Sequence, residues 1–114
     1  MGSTPPLAKP GEATLSDDRR KYILDGDGKG GGGHGPGRET PDKSAFPSDW
    51  SDEKAVEAVK GVANDPGSVR VPAKGDRTAV QGTRDGVDIE VIIGRDGKTI
   101  VTAYPTSIPP NGGQ

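Results

Sequence analysis

The sequence contains no cysteine, one histidine (His34) and few aromatic residues, which make up 4% of the chain. Without cysteine, disulfide bonds and thiolate metal sites are excluded. No apolar run approaches the roughly 18 residues that a membrane-spanning helix needs, so we expect no membrane domain. The hydrophobic fraction is 28%, against roughly 45–50% in typical domains on a count that includes glycine. We therefore expect a small core, formed mostly after Phe46.

Glycine and proline are abundant instead, with 19 and 11 residues. Residues 1–18 hold two proline-containing turns and little apolar material, so they are predicted to be a linker. Residues 25–42 are too rich in glycine for a helix or strand and are predicted to form a loop. Two interpretations of this loop stay open: a flexible linker, or a functional segment centred on His34. We expect one domain over residues 19–106 and a flexible tail over residues 107–114.

One amphipathic helix is predicted after Trp50. Ser51 is a suitable N-cap, and the acidic residues after it favour the positive end of the helix dipole. Apolar residues recur at spacings of three and four and form one stripe: Ala55, Val56, Val59, Val62 and Ala63. The run Asn64-Asp65-Pro66-Gly67 ends the helix, and Trp50 is placed to fold back on the stripe.

The remainder predicts strands joined by two tight turns. Residues 68–71 are weakly extended, residues 77–83 and 98–104 are candidate strands, and Val87 to Ile93 alternates between apolar and polar positions. In the last strand, simple alternation places Ile100, Thr102 and Tyr104 on one face. We expect an α+β fold, with an N-terminal helical or loop segment and the amphipathic helix packed on an antiparallel meander.

Four side chains form a candidate site for cleavage of RNA by its own 2′-hydroxyl: His34, Lys43, Thr102 and Tyr104. Histidine suits proton transfer near neutral pH, and that reaction also needs a cation or hydrogen-bond donors for the crowded phosphate. It requires no metal or other cofactor. The structural alternatives stay open: Tyr104 as a core residue, Thr102 as an ordinary strand residue and Lys43 as a solvated charge.

Two other interpretations of the glycine-rich segment find less support. The stretch from Asp25 to Lys29 opens like a calcium loop but lacks the remaining ligands. The glycine run lacks the lysine and hydroxyl residue that end a phosphate-binding loop, and no apolar strand leads into it.

Several motifs together resemble the bacterial EndoU nucleases, which are toxin domains of contact-dependent inhibition systems and other polymorphic toxins. The resemblance runs from about Arg20 to Thr106. It rests on segments that occur in the family's order: residues 22–27, 31–34, 43–47, 50–52, 82–89 and 100–106. Several separate motifs in one order are far more specific than any one of them.

The resemblance implies a metal-independent endoribonuclease, often directed at transfer RNA, that leaves a 2′,3′-cyclic phosphate. It implies a barnase-like fold and a cognate immunity protein that covers the active site. It also implies a domain secreted or displayed on the cell surface within a larger toxin and acting in the cytoplasm of the target cell. By position, His34 matches one of two catalytic histidines, Lys43 matches a lysine before Phe-Pro, and Thr102 and Tyr104 match a hydroxyl pair.

The sequence departs from the family pattern at Tyr22, where the other catalytic histidine is expected. Three interpretations stay open: an inactivated variant, a natural subgroup in which Tyr22 serves as acid or hydrogen-bond donor, and a shifted alignment. A phenol, with a reference pKa of about 10, is a poor base at neutral pH but can donate a proton.

The net charge of −2 argues against a general nucleic-acid binder, which is usually basic. A local RNA-facing surface is still expected from a set of cations near the site: Arg20, Lys21, Lys29 and Arg38. Two alternatives to the nuclease stay open. One is a catalytically silent module of the same fold that binds RNA or an immunity protein, and the other is an unrelated β-rich structural domain.

Overall fold

The computed structural model describes residues 8–27, 31–37 and 44–108. Two helices pack on a four-stranded antiparallel sheet, which confirms the predicted α+β fold. The helices are α1 (Asp17–Asp25) and α2 (Asp52–Asn64), and the strands are β1 (Val69–Ala73), β2 (Arg77–Arg84), β3 (Val87–Ile93) and β4 (Ile100–Pro105). The strands are hydrogen-bonded in chain order. Neither of these helices has the length and apolar character to span a membrane.

The N-terminal element is a helix. The Ser16 side chain accepts a hydrogen bond from the Arg19 backbone N–H, and two aspartates occupy the first turn of α1, where negative charge is stabilised. At the other end, Gly26 adopts φ +82° and donates its N–H to the Tyr22 carbonyl. A glycine at the C-cap takes this backbone conformation without steric cost, so the segment after α1 turns away sharply.

Part of the segment predicted to be a linker is packed on the domain. Ala8 and Ala13 are buried, and the Ala8 N–H donates to the Thr78 hydroxyl. Thr14 forms a parallel bridge with Thr99. Residues 8–14 therefore run along the sheet before α1 begins.

Helix α2 forms as predicted and lies on one face of the sheet. Ser51 caps it by accepting from the Lys54 N–H, and the apolar stripe is buried. A methyl group at Gly82 would lie 3.2 Å from the Val62 side chain, so the helix packs closely against β2. Trp50 is buried in the core and stacks on Phe46, with 5.9 Å between the ring centroids.

The sheet has a covered face and an open face. On β3, the odd-numbered residues from Val87 to Ile93 are buried beneath α2, while Asp88 and Glu90 alternate with them. Cross-strand partners share a face, so the register places Gln81, Glu90 and Tyr104 in one row of the open face. Ala79, Ile92 and Thr102 form the next row.

The predicted face of Ile100 was wrong. Ile93 pairs with Ile100, whereas Ile92 pairs with Thr102, so β4 holds an extra residue, Val101, at this point. A bulge of this kind breaks the alternation of side chains. Ile100 is fully buried in the core, and Thr102 lies on the open face.

Candidate active site

The backbone of His34 is held against the last turn of α1. The N–H groups of Gly33, His34 and Gly35 donate to the carbonyls of Tyr22, Ile23 and Leu24, with distances of 3.1, 2.6 and 3.0 Å. These carbonyls lie in the last turn of a helix, where main-chain acceptors lack partners within the helix. The glycine-rich segment thus satisfies the end of α1 and fixes the position of His34.

Two glycines, Gly31 and Gly32, leave space for Tyr22. Gly32 has φ +66°, and a methyl group there would overlap the Tyr22 carbonyl oxygen. A methyl group at Gly31 would overlap the Tyr22 hydroxyl. Residues 32–36 are buried, so this part of the predicted loop is a packed segment, not a solvated linker.

The imidazole of His34 has a defined orientation. Its Nδ1 lies 2.6 Å from the Ser44 carbonyl oxygen, and because a carbonyl can only accept, Nδ1 carries the hydrogen. In the neutral ring, Nε2 is then the nitrogen that accepts a proton. The Phe46 N–H donates to the His34 carbonyl at 2.9 Å, which also fixes the backbone of His34. The residue is 8% exposed, and the Ser44 carbonyl selects one tautomer of its ring.

Tyr104 lies beside this imidazole, with 5.6 Å between the ring centroids. Its hydroxyl donates to Glu90 Oε2, and the Gln81 amide donates to Glu90 Oε1 at 2.8 Å. Burial raises the pKa of Tyr104 to about 12, with further contributions from the hydrogen bond and the charge of Glu90. The phenol therefore stays protonated across the physiological range and remains a hydrogen-bond donor.

Thr102 is on the same face, two residues from Tyr104 along β4. Two residues of strand correspond to about 7 Å, so both hydroxyls can address one phosphate group. The structure thus brings together three of the residues singled out in the sequence: His34, Thr102 and Tyr104.

Tyr22 is connected to β4 through Arg19. The Arg19 guanidinium lies 4.2 Å from the centroid of the Tyr22 ring, and its Nε donates to the Val101 carbonyl at 2.9 Å. Val101 immediately precedes Thr102, so this bridge places position 22 at the edge of the site, where the glycine segment and β4 meet.

Of the four cations expected to bind RNA, the structure describes Arg20 and Lys21. Arg20 forms an ion pair with Glu53 on α2 and lies on nearly the opposite side of α1 from Tyr22, since successive helical residues are about 100° apart. Lys21 is exposed on α1. The other three cations expected in the site or on the RNA-facing surface lie outside the described residues: Lys29, Arg38 and Lys43.

Sequence reasoning missed Glu90 and Gln81. Both occupy polar positions of alternating strands, and that pattern alone indicates only a solvated face. The signal becomes informative once the register is known, because Glu90 lies directly opposite Tyr104 and Gln81 directly opposite Glu90.

Within residues 8–27, 31–37 and 44–108, no group of three histidine or acidic side chains is arranged to hold a metal ion. The donors that are present (a tautomer-fixed imidazole, a protonated phenol and a threonine hydroxyl) suit proton transfer and the binding of an anionic oxygen.

Residues 23–107 match the family model described as bacterial EndoU nuclease, a range that includes His34, Lys43, Thr102 and Tyr104 and begins immediately after Tyr22. No curated protein and no solved structure matches the chain significantly.

Proposed function

The chain belongs to the bacterial EndoU nuclease family, and from that premise we propose that it is a toxin endoribonuclease domain. The proposed reaction is attack of the RNA 2′-hydroxyl on the adjacent phosphorus, without a metal, to give a 2′,3′-cyclic phosphate and a free 5′-hydroxyl. Transfer RNA is the proposed substrate.

The observation that carries the proposal is the hydrogen bond from His34 Nδ1 to the Ser44 carbonyl. It leaves Nε2 as the basic nitrogen, and Nε2 takes the proton of the 2′-hydroxyl. The 2′-oxygen then bonds to phosphorus while the bond from phosphorus to the 5′-oxygen breaks. An acid must return a proton to that departing oxygen.

Thr102 and Tyr104 orient the phosphate. Their hydroxyls share one face of β4. The phenol has a single hydrogen, which it donates to Glu90 in this structure. When RNA binds, this hydrogen is proposed to turn from Glu90 to a non-bridging oxygen as charge accumulates on it. Lys43, outside the described residues, is proposed to supply the positive charge at the same phosphate.

Tyr22 is proposed to stand where the second proton-transfer group belongs, as the hydrogen-bond donor to the departing 5′-oxygen. A phenol donates a proton less readily than an imidazolium ion because its reference pKa is about 10 rather than about 6.5. We therefore expect slow cleavage, since loss of one acid–base partner typically costs about 10²–10⁴-fold in rate.

A second candidate function follows from the same residue. If Tyr22 supplies no proton at all, the chain is a catalytically silent EndoU module that binds RNA or an immunity protein. The two functions share the fold and the face of the sheet and differ in turnover.

The biological setting is likewise proposed. The domain would be delivered as part of a larger secreted or surface-displayed toxin, as in contact-dependent inhibition, and would act in the cytoplasm of the target cell. A cognate immunity protein would cover the open face of the sheet and neutralise it.

The test is a transfer-RNA cleavage assay in EDTA with mapping of the cut ends. It compares the chain with Tyr22→His, with His34→Gln and with Lys60→Gln, which changes an exposed residue on α2 as a matched control. We expect slow cleavage by the chain with 2′,3′-cyclic ends, a gain of about 10²-fold or more for Tyr22→His, and loss of cleavage for His34→Gln.

The outcomes separate the candidates. Cleavage only by Tyr22→His would favour the silent module for the present chain. Absence of cleavage in every variant, with circular dichroism showing a folded protein, would contradict the nuclease proposal.

A further inference from the structure

A cationic cavity lies at the edge of the open face, away from His34. It has a volume of about 580 Å³ and lies between the turn that joins β1 to β2 and the turn that joins β3 to β4. Its lining includes the cations Lys74, Arg77 and Arg95, together with Asp96 and Val101. Cations outnumber carboxylates, so the cavity favours an anion.

Two of the cations, Lys74 and Arg77, have no partner within the described part of the chain. Among the described residues, Lys74 and Arg77 form no hydrogen bond or ion pair through their side chains. Arg95 lies 3.7 Å from the Asp76 carboxylate, which partly neutralises it. The carboxylate of Asp96 accepts hydrogen bonds from the N–H groups of Lys98 and Thr99 and is engaged within its own turn. The charges of Lys74 and Arg77 are therefore available to a ligand.

The cavity is next to the candidate active site, since Val101 in its lining immediately precedes Thr102. Arg77 lies two residues before Ala79 on β2, on the same face, and Ala79 is in the row of Thr102. With about 3.4 Å per residue along a strand and about 4.8 Å between strands, the Cα atoms of Arg77 and Thr102 are about 12 Å apart. The extended side chain of Arg77 covers part of this distance. Its guanidinium can therefore contact a phosphate next to the one bound at Thr102 in the same RNA strand.

The negative charges of the open face lie on the side of Thr102 away from Arg77. Glu90 is in the row of Tyr104, and Asp88 is one row further on. Negative side chains disfavour a phosphate backbone, so an RNA strand that extends from Thr102 is favoured in the direction of Arg77.

Resting on the proposed ribonuclease function, we propose that the cavity lined by Lys74, Arg77 and Arg95 binds a backbone phosphate of the RNA substrate that flanks the phosphate being cleaved. This subsite extends the recognition of RNA beyond the scissile bond and sets the direction in which the strand lies across the sheet.

The first test measures binding of a 2′-O-methylated RNA oligonucleotide, which lacks the attacking hydroxyl and cannot be cleaved. The double variant Lys74→Gln/Arg77→Gln is compared with Lys54→Gln/Lys60→Gln, which loses the same charge from α2 on the covered side of the sheet. We expect weaker binding only for the first pair. Each lost phosphate contact reduces the slope of log K against log salt by about 0.7 for a single strand.

The second test uses cleavage in substrates of two lengths, in the Tyr22→His background if the chain itself is too slow. With a dinucleoside monophosphate, which has only the scissile phosphate, the variant and the parent are expected to cleave equally. With a longer oligonucleotide, the variant is expected to show a raised KM and an unchanged kcat.

The outcomes distinguish the subsite from the proposed function. If the parent binds or cleaves RNA and the two double variants behave alike, the subsite is overturned and the function stands. If the parent neither binds nor cleaves RNA, both are overturned. Binding of poly-glutamate, a probe for an acidic protein surface, is measured on the same proteins. If the parent binds poly-glutamate and Lys74→Gln/Arg77→Gln loses that binding but keeps its affinity for RNA, the cavity accepts an acidic protein surface and the RNA subsite is again overturned.

Discussion

The phenol of Tyr104 donates its hydrogen bond to the carboxylate of Glu90, its directly opposite partner on the neighbouring strand. Gln81 donates to the other oxygen of the same carboxylate from the strand beyond. The side chain closest to the His34 ring in this row is thus held from across the sheet. The position of the proposed phosphate donor depends on the strand register as much as on β4 itself.

Titration of Tyr104 tests this relationship. In a Tyr22→Phe background, in which Tyr104 is the only tyrosine, ultraviolet absorbance should report a pKa of about 12. Burial is the largest cause of the raised pKa and remains in Glu90→Gln, so this substitution should lower the pKa only part of the way toward 10, by removing the negative charge. The raised pKa contributes to the free energy of unfolding below pH 10, and this contribution should be lost as the pH rises toward 12. An unchanged titration in Glu90→Gln would contradict the role assigned to Glu90.

Steady-state kinetics should distinguish the roles of Tyr104 and Glu90. Tyr104→Phe should lower kcat by about 10²-fold or more, the usual effect of removing one donor to a developing oxyanion. Glu90→Gln removes a negative charge beside the proposed phosphate site. Because two negative charges 4 Å apart in water repel each other by about 1 kcal/mol, this substitution should lower the KM for RNA a few-fold. Steady-state kinetics on one oligonucleotide measures both, and a rise of KM in Glu90→Gln would argue against this reasoning.

Two glycines with similar backbone conformations provide a matched pair. Gly32 and Gly37 have φ of +66° and +75°, but only at Gly32 would a methyl group overlap the Tyr22 carbonyl. A methyl group at Gly37 would have no non-adjacent atom of the described residues within 4 Å. Gly37→Ala should therefore cost only the left-handed backbone penalty of about 1–2 kcal/mol. Gly32→Ala should cost more and should also reduce RNA cleavage, because it displaces the segment that positions His34. Urea unfolding and the cleavage assay would show whether the two variants differ; equal costs would mean that the segment moves freely.

Much of the fold was predictable because it depends on local patterns. The stripe on α2, its cap at Ser51 and the alternation in β3 are properties of neighbouring residues. The face of Ile100 was not predictable, since the bulge at Val101 becomes visible only when β4 is paired with β3. A one-residue irregularity reverses every alternation argument that crosses it.

The candidate site likewise has residues that the sequence could predict and others that it could not. His34, Thr102 and Tyr104 were singled out by residue type and motif, and the structure places them together. Glu90 and the Ser44 carbonyl act through long-range contacts, and a carbonyl carries no signal in a side-chain pattern. The tautomer of His34 follows from such a contact, so it lies beyond what a sequence pattern can indicate.

The stability of the turn between β3 and β4 should depend on pH through Asp96. Hydrogen bonds from Thr99 and from the Lys98 N–H lower the pKa of Asp96 to about 2 from the usual 3.8. A lowered folded-state pKa contributes stability above pH 3.8 that is lost as the pH falls toward 2. Because Thr99 also bridges to Thr14, protonation should loosen the N-terminal segment as well. Urea unfolding at several acidic pH values should show a flatter acid limb for Asp96→Asn than for the parent. The exposed Asp49→Asn variant serves as control, and parallel curves for the parent and Asp96→Asn would show that this carboxylate does not stabilise the turn.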